Sequence, residues 1–599
     1  MCGIVGYCGK KSCSSLLIEG LKKLEYRGYD SAGIALEHKN KITVLKAVGQ
    51  VKNLENLIKK QGKDSCVGIA HTRWATHGKP SLVNSHPHTD CTGNIAVVHN
   101  GIIENYLELK KILIKKGHKF KSETDTEVIA HLIEEELKKE KDFFSAFQKV
   151  TRQLKGAFAL AALNAKEPNT LVAAKKQSPL VAGVTKDGFF LASDIPAFLN
   201  YTKKAIFFED GDTIKITPDN IDIYDLNFRK VQRKIHTISW DISAAEKGGF
   251  KHFMLKEIYD EPQTVKDTLQ TLPPDISRAF GLPLKEAKKI EGLYIVACGT
   301  AYHAALVSKY IIEHFAKLPV EVEMASEFKY RPIHFKKNWL FIAVSQSGET
   351  ADTLSALKNA KADGLKILSI CNVVGSAIVR ESNYSVFTHC GPEISVASTK
   401  AFTCQLTVLY ALALQLAYVQ KAITKAEFED LYQELLRLPE LLKQTLKLEG
   451  AVKKIAAKIY KSPSFIFIAR NASYPLALEG ALKLKEISYK HAEGFAAGEI
   501  KHGPIAIIDK NTPVIALAPK SNLYEKMLSS CQELAARGAK IIIVTNNSAK
   551  NALDVPYSNE YLFPLIAATV LQFYAYHIAN FLGREIDKPR NLAKSVTVE

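Results

Sequence analysis

A chain of 599 residues is too long for one hydrophobic core, so two to four domains are expected. Its 47% hydrophobic and 24% charged residues are ordinary for a soluble globular protein. The net charge of +18 comes without a basic tail, a zinc finger or an aromatic RNA motif, so a lysine-rich surface or attraction of small anions explains it better than nucleic acid.

The chain opens Met1-Cys2-Gly3-Ile4-Val5-Gly6. Removal of the methionine would expose the thiol and α-amine of Cys2, a nucleophile beside a base that titrates near pH ~8. A cysteine that does no chemistry is the plainer alternative. The ten cysteines are scattered with no C-x-x-C pair, which argues against zinc, iron–sulfur clusters and a disulfide scaffold. No basic-then-apolar leader precedes Cys2, and the expected compartment is the cytoplasm. Ile4–Tyr7, Ser31–Ala35, Val67–Ala70, Ile95–Val98, Ala157–Leu163 and Phe189–Ala192 read as buried strands, and Glu127–Lys139 as a helix. Residues 1 to about 225 thus carry an antiparallel α+β pattern with two or three helices.

Three polar clusters interrupt these strands: His71-Thr72-Arg73-Trp74-Ala75-Thr76-His77-Gly78, His99-Asn100-Gly101-Ile102-Ile103-Glu104-Asn105, and Ser122-Glu123-Thr124-Asp125-Thr126-Glu127. Singly they read as a turn, an Asn-Gly hairpin and a capped helix start. Beside Cys2 they supply what glutamine hydrolysis needs: an arginine fork for an α-carboxylate, an aspartate for an α-ammonium, and amide donors for an oxyanion. With Tyr26-Arg27-Gly28-Tyr29-Asp30-Ser31-Ala32-Gly33 they resemble the N-terminal-nucleophile (class II) glutamine amidotransferase family. The resemblance implies a four-layer αββα sandwich over 2–225 with Cys2 as the mature N-terminus. It also implies that Arg73, Thr76, His77 and Asp125 bind glutamine, that Asn100 and Gly101 form the oxyanion hole, and that Trp74 is a gate.

Residues 226–283 read as a linker, charged over Arg229–Lys234, punctuated by Gly248-Gly249 and Glu261-Pro262, with a short helix over 252–258. From about 285 strands alternate with helices, as in a parallel sheet: Leu293–Ala297, Leu340–Val344 and Ile367–Ile370, then Phe465–Ile468, Val514–Leu517 and Ile541–Val544. These are read as two copies of one α/β domain, 284–425 and 450–590, offset by ~170 residues. The uncharged stretches 401–420 and 561–583 are long enough to span a membrane, but their polar residues favour buried helices. Ser345-Gln346-Ser347-Gly348-Glu349-Thr350, between a strand and a helix, offers hydroxyls and a helix N-terminus to a phosphate. No Walker lysine or G-x-G-x-x-G accompanies it, so nucleotide is not implied.

The two copies resemble sugar isomerase (SIS) domains. With Val396-Ala397-Ser398-Thr399-Lys400, the helix Leu478–Glu486 and the tail Pro589–Glu599, the chain is similar from end to end to the glutamine–fructose-6-phosphate aminotransferase family. That resemblance implies L-glutamine and D-fructose 6-phosphate as substrates, glucosamine 6-phosphate and glutamate as products, ammonia passed between two sites, and the first step of hexosamine synthesis. It implies that Thr300, Ser345, Gln346, Ser347, Thr350, Ser398 and Lys483 hold the sugar phosphate, His502 assists ring opening, Lys594 forms a Schiff base and Glu486 moves a proton between C1 and C2. The tail 591–599 is expected to join the active site. A homodimer is implied, with no cofactor, metal, nucleic acid or membrane. Ala301, Ser395 and Ala469-Arg470-Asn471 depart from the family pattern. Two alternatives stand beside this reading. An amidotransferase acting on a phosphoribosyl diphosphate would need an Asp-Asp and Thr-rich loop, and a sugar-phosphate sensor would tolerate loss of Cys2 and Lys594.

Overall fold

The computed structural model describes residues 2–61, 64–74, 78–238, 247–549 and 552–597. It divides into two compact units, Met1–Ala245 with Ala593–Glu599, and Glu246–Leu592.

The first unit is built on two antiparallel sheets. One has eight strands, with Gly3–Gly9 in its interior between Gly188–Ala192 and Val67–Arg73. The other has seven, with Ile95–Gly101 paired to Phe158–Asn164. Alternation along Gly3–Gly9 explains the layering, because successive side chains of a strand point to opposite faces. Val5 and Tyr7 pack with Leu17 and Leu21 of helix Ser14–Leu24 and Leu54 of helix Val51–Gln61. Ile4 and Cys8 pack against Val98, Ala161 and Ala173 of the second sheet. Val97, Leu160 and Val172 carry the second sheet's outer face, covered by Tyr106–Lys115, Glu127–Glu136 and Phe143–Gln153. The result is the αββα sandwich. Because both faces of both sheets are buried, its strands lack the apolar–polar alternation usual for antiparallel sheets.

Three expectations are corrected. This unit has five α-helices among the described residues, not two or three. The stretch read as the start of a linker forms strands Lys230–Val231 and Ile235–Thr237, which extend the two sheets. The expected cap on helix Glu127–Glu136 is not made: Thr126 gives no capping bond, and its hydroxyl is used by His86 and His99 instead.

In the second unit two five-stranded parallel sheets share one strand order. In the first, the sequence of strands across the sheet is Val320–Met324, Gly292–Ala297, Trp339–Ser345, Lys366–Cys371, Tyr384–Phe387. In the second it is His491–Ala496, Ser464–Ala469, Pro513–Ala518, Lys540–Thr545, Leu553–Asp554. The duplication is therefore topological as well as sequential. The uncharged stretches are the helices Lys400–Val419 and Phe563–Phe581, both buried in one core that runs through both copies. Lys400–Val419 is the one helix among the described residues long and apolar enough to cross a membrane, and 89% of the residues in its apolar 18-residue stretch are buried.

The short helix expected over 252–258 is an 18-residue helix, Phe253–Gln270, that continues through Pro262. Packing overrides the proline, since Met254, Ile258, Val265 and Leu269 lie in that same core. Beside the proline, buried Glu261 accepts from Thr403 at 2.8 Å, Thr569 at 2.7 Å and Gln572 at 2.8 Å, and burial raises its carboxyl to about 7.

Candidate active sites

In the first unit, pairing of Gly3 with Thr72 sets Cys2 beside the end of strand Val67–Arg73. The Trp74 amide donates to Cys2 Sγ at 3.2 Å, and the thiol lies 3.5 Å from the Trp74 carbonyl oxygen. The Cys2 carbonyl accepts from Arg27 Nε at 3.2 Å and Asn100 Nδ2 at 3.0 Å. Burial pushes the thiol above its ordinary value, while the Trp74 amide and Arg73 pull against it. A thiol held up in this way needs a base to become the nucleophilic thiolate. Arg73 is buried, donates to the Gly78 carbonyl at 2.9 Å, and feels the charges of Cys2, Asp30 and Asp125. Asp125 accepts from the Ile103 amide at 2.8 Å, which ties it to the chain just past Asn100-Gly101. Gly101 has φ +131°, and a Cβ there would lie 2.0 Å from the Ala157 carbonyl oxygen, so only glycine fits. The Trp74 ring meets Tyr29 edge-on at 5.8 Å. Thr76 and His77 lie outside the described residues.

The structure adds residues that the sequence reading missed. His71 Nε2 sits 3.0 Å from the His99 carbonyl and 3.1 Å from Asn100 Oδ1. Both partners are acceptors, so the ring carries its proton on Nε2 and turns the Asn100 amino group toward Cys2. Ser193 Oγ accepts from the same amino group at 2.7 Å. Beneath lie His86 and His99, each 2.9 Å from Thr126 Oγ1, and His88, 3.1 Å from Thr124 Oγ1. Burial drives His71 down to about 3 and drives His86 and His88 well below the ordinary 6.5. These groups are neutral in the folded unit and titrate normally once unfolded. Their contribution to stability is complete above about pH 6.5 and is lost progressively as the pH falls below it, by up to about 1.4 kcal/mol per pH unit per histidine. Denaturant unfolding at pH 7, 6 and 5 should show this decline, and a flat profile would contradict it.

In the second unit Ser345–Thr350 joins strand Trp339–Ser345 to helix Ala351–Ala362. Ser345 Oγ lies 3.0 Å from Thr350 Oγ1 and accepts from the Gly348 amide at 3.0 Å, and Ser347 Oγ accepts from the Glu349 amide at 3.2 Å. The Asn372 amide donates to the Gln346 carbonyl at 3.1 Å, fixing the loop against the next strand. Gly348 has φ +65°, and a Cβ would meet Ser376 Oγ at 1.9 Å.

A buried charge cluster lies on helix Tyr474–Ser488. Lys483 Nζ pairs closely with Glu486 and stands 3.6 Å from Glu479. Burial opposes this ammonium, but Glu486 and Glu479 outweigh it and hold Lys483 above its ordinary value, with Glu393 adding to the effect. Glu479 also accepts from Thr300 Oγ1 at 3.0 Å and pairs with His303 Nδ1 at 2.7 Å. Ser398 donates to Glu393 at 3.0 Å. Thr300, Ser398, Lys483 and Glu486 are thus linked through Glu479 and Glu393, two carboxylates that the sequence reading passed over.

His502 is exposed, on the turn after Glu499–Lys501. Lys594 is half-buried and belongs with the first unit. Of the departures, Asn471 takes φ +50°, a conformation asparagine tolerates better than most residues, and Arg470 donates to Ser530 Oγ at 2.9 Å. The Ser395 amide donates to Glu257 at 3.1 Å, and Ala301 sits in the first turn of helix Gly299–Phe315.

Comparison with known proteins agrees with this two-part chemistry. The glutamine amidotransferase domain family matches residues 72–200, and the SIS domain family matches 284–415 and 458–580. The chain is 48% identical over 606 residues to the glutamine–fructose-6-phosphate aminotransferase [isomerizing] of Aquifex aeolicus, with 100% of both chains covered. The enzyme of that name from Clostridium acetobutylicum is 46% identical over 610 residues, again with 100% of each chain covered. Among solved structures, the C-terminal domain of glucosamine-fructose-6-phosphate aminotransferase from Francisella tularensis matches with a TM-score of 0.55 and 39% identity, covering 57% of this chain and 99% of that one. Full-length identity at this level, on a chain that joins a cysteine-headed amidotransferase sandwich to a duplicated parallel-sheet unit, shows that it belongs to the glutamine–fructose-6-phosphate aminotransferase (isomerizing) family.

Proposed function

We propose that the chain converts D-fructose 6-phosphate and L-glutamine into D-glucosamine 6-phosphate and L-glutamate. The observation that carries this reading is Cys2, held by the Trp74 amide within the electrostatic reach of Arg73 and Asp125. Arg73, Thr76 and His77 grip the glutamine α-carboxylate, and Asp125 takes its α-ammonium. Cys2 attacks the side-chain amide carbon. Its α-amine accepts the thiol proton and returns it to the departing ammonia, and water then hydrolyses the thioester to glutamate. Asn100 and Gly101 stabilise the oxyanion, which requires the Asn100 amino group to let go of the Cys2 carbonyl or Ser193. Trp74 gates the site.

Ammonia stays a nucleophile only while neutral and sheltered from water. Ser345, Gln346, Ser347 and Thr350 hold the phosphate of fructose 6-phosphate, with Thr300, Ser398 and Lys483 placing the sugar. His502 assists ring opening, and Lys594 forms a Schiff base at C2. Ammonia displaces Lys594 there, and Glu486 moves a proton from C1 to C2 to leave the aldose amine. In this reading the glutaminase runs past residue 225 to take in strands Lys230–Val231 and Ile235–Thr237, 284–425 and 450–590 are the two SIS domains, and 591–599 is a tail that supplies Lys594. The same reading makes the chain a cytoplasmic homodimer.

The decisive assay is hexosamine phosphate formed from glutamine plus fructose 6-phosphate. In parallel, intact mass should show Met1 absent, because a fully active chain that keeps Met1 would sink the role of the amine. Ser347→Ala and Thr350→Ala should each raise KM for fructose 6-phosphate by about 1–2 kcal/mol, the worth of a hydrogen bond to a charged group, and leave sugar-free glutamine hydrolysis unchanged. Equal losses in both assays would point to folding damage.

A further inference from the structure

We propose that the first unit binds one structural zinc ion, or a divalent transition metal of similar taste, through Cys91, His118, His131 and Glu134. The four come from three separate places. Cys91 lies in the turn after strand His88–Thr89, His118 follows helix Tyr106–Lys115, and His131 and Glu134 stand one turn apart on helix Glu127–Glu136. One ligand atom from each lies within 4.8 Å of all the others. His118 Nδ1 and His131 Nδ1 are 3.2 Å apart. Cys91 Sγ is 3.7 Å from the first and 3.6 Å from the second. Glu134 Oε2 is 3.0 Å from His118 Nδ1 and 3.5 Å from His131 Nδ1.

These separations are the edges of a coordination tetrahedron. With Zn–N bonds of ~2.0–2.1 Å and a Zn–S bond of ~2.3 Å, tetrahedral nitrogens stand about 3.3 Å apart and sulfur about 3.6 Å from nitrogen. The surroundings fit as well. His118 turns its other nitrogen, Nε2, to Glu135 Oε1 at 2.9 Å, the carboxylate–histidine arrangement that fixes a metal-binding tautomer. With the proton on Nε2, the Nδ1 lone pair of His118 points at the Glu134 carboxylate and the second imidazole. Such acceptors repel unless a cation sits among them. The Lys119 amide donates to Cys91 Sγ at 3.5 Å, as suits a thiolate. A protonated His118 between Glu134 and Glu135 would account for two of these contacts. It would leave unexplained why Cys91 Sγ and His131 Nδ1 converge on the same point.

All four positions are filled by protein, so the site is closed and structural rather than catalytic. Its placement gives it a task. Ser122–Thr126, which carries Asp125, lies between ligands 118 and 131, so one ion clamps both ends of that segment. The metal takes Cys91 as thiolate, and the thiol proton goes to solvent.

The test uses the full chain, expressed with zinc and purified without chelators. Elemental analysis should find one equivalent of zinc per chain. Exchange for Co²⁺ should give a thiolate-to-cobalt charge-transfer band and visible d–d bands of a tetrahedral ion. Cys91→Ser, at an exposed position that should not disturb folding, should lose the charge-transfer band, and Cys2→Ala should keep it. Chelation should lower Tm, and Zn²⁺ alone should restore it in the wild-type chain but not in the Cys91→Ser chain. A wild-type chain that holds no metal and takes up neither Zn²⁺ nor Co²⁺ would overturn the proposal. So would a Cys91→Ser chain with an unchanged cobalt spectrum.

Discussion

Cys2→Ala should abolish glutamine-dependent synthesis while sugar-phosphate isomerisation survives. The substitution removes the group assigned to amide attack, and nucleophile deletions cost on the order of 10⁴–10⁶-fold in rate. It does not touch the Lys483–Glu486 pair or the Ser345–Thr350 loop, which belong to the other compact unit. Conversion of fructose 6-phosphate toward glucose 6-phosphate should therefore continue at a measurable rate. Lys594→Ala is the reciprocal case: it removes the amine that would activate the ketose carbonyl and leaves a glutaminase. That residual glutaminase should be reduced, because the tail Ala593–Glu599 packs as part of the Cys2 unit. Hydrolysis and isomerisation are measured separately in each variant. Full glutamine-dependent synthesis by Cys2→Ala, or full sugar conversion by Lys594→Ala, would break this division of labour.

Lys483→Met should have the largest effect on the second unit. Lys483 is 1% exposed and is the cation between Glu479 and Glu486. Methionine fills similar volume without charge, so two carboxylates are left facing each other beside Thr300 and His303. Breaking a buried pair by removing one partner costs about 3–5 kcal/mol. Tm should fall by several degrees, and sugar conversion should be lost while Cys2-dependent hydrolysis remains. Adding Glu479→Gln should recover stability without recovering turnover, which separates the electrostatic role of Glu479 from the catalytic need for Lys483. If Lys483→Met alone kept sugar conversion, the cluster would be scaffolding only.

The parallel-sheet unit was legible because each of its strands is an apolar run followed by a small-residue turn, and the two copies repeat the signal. Arg73, Asn100 and Asp125 were legible because their chemistry sits in short polar clusters between apolar strands. Glu479 was not. In Leu478-Glu479-Gly480 it reads as an exposed helix charge, and only the approach of Thr300 and His303 from a distant helix gives it a role. The histidine layer under Asn100 escaped notice because each histidine is reasonable alone in its turn or strand. Pro262 hid most of its helix, since a proline usually ends one and only tertiary packing decides otherwise. The scattered cysteines argued against zinc by spacing, a rule that looks for ligands close in sequence and misses Cys91, His118, His131 and Glu134, which are joined by folding.

The interior position of strand Gly3–Gly9 has a consequence for how the chain is made. One of its two neighbours, Gly188–Ala192, lies far along the chain, so the sheet around Cys2 cannot close until about 190 residues have been synthesised. At ~5–20 residues per second that takes roughly 10–40 s, during which strand Gly3–Gly9 has at most Val67–Arg73 as a partner. The long return of the chain to its own beginning thus sets the earliest moment at which the sheet around Cys2 can be complete.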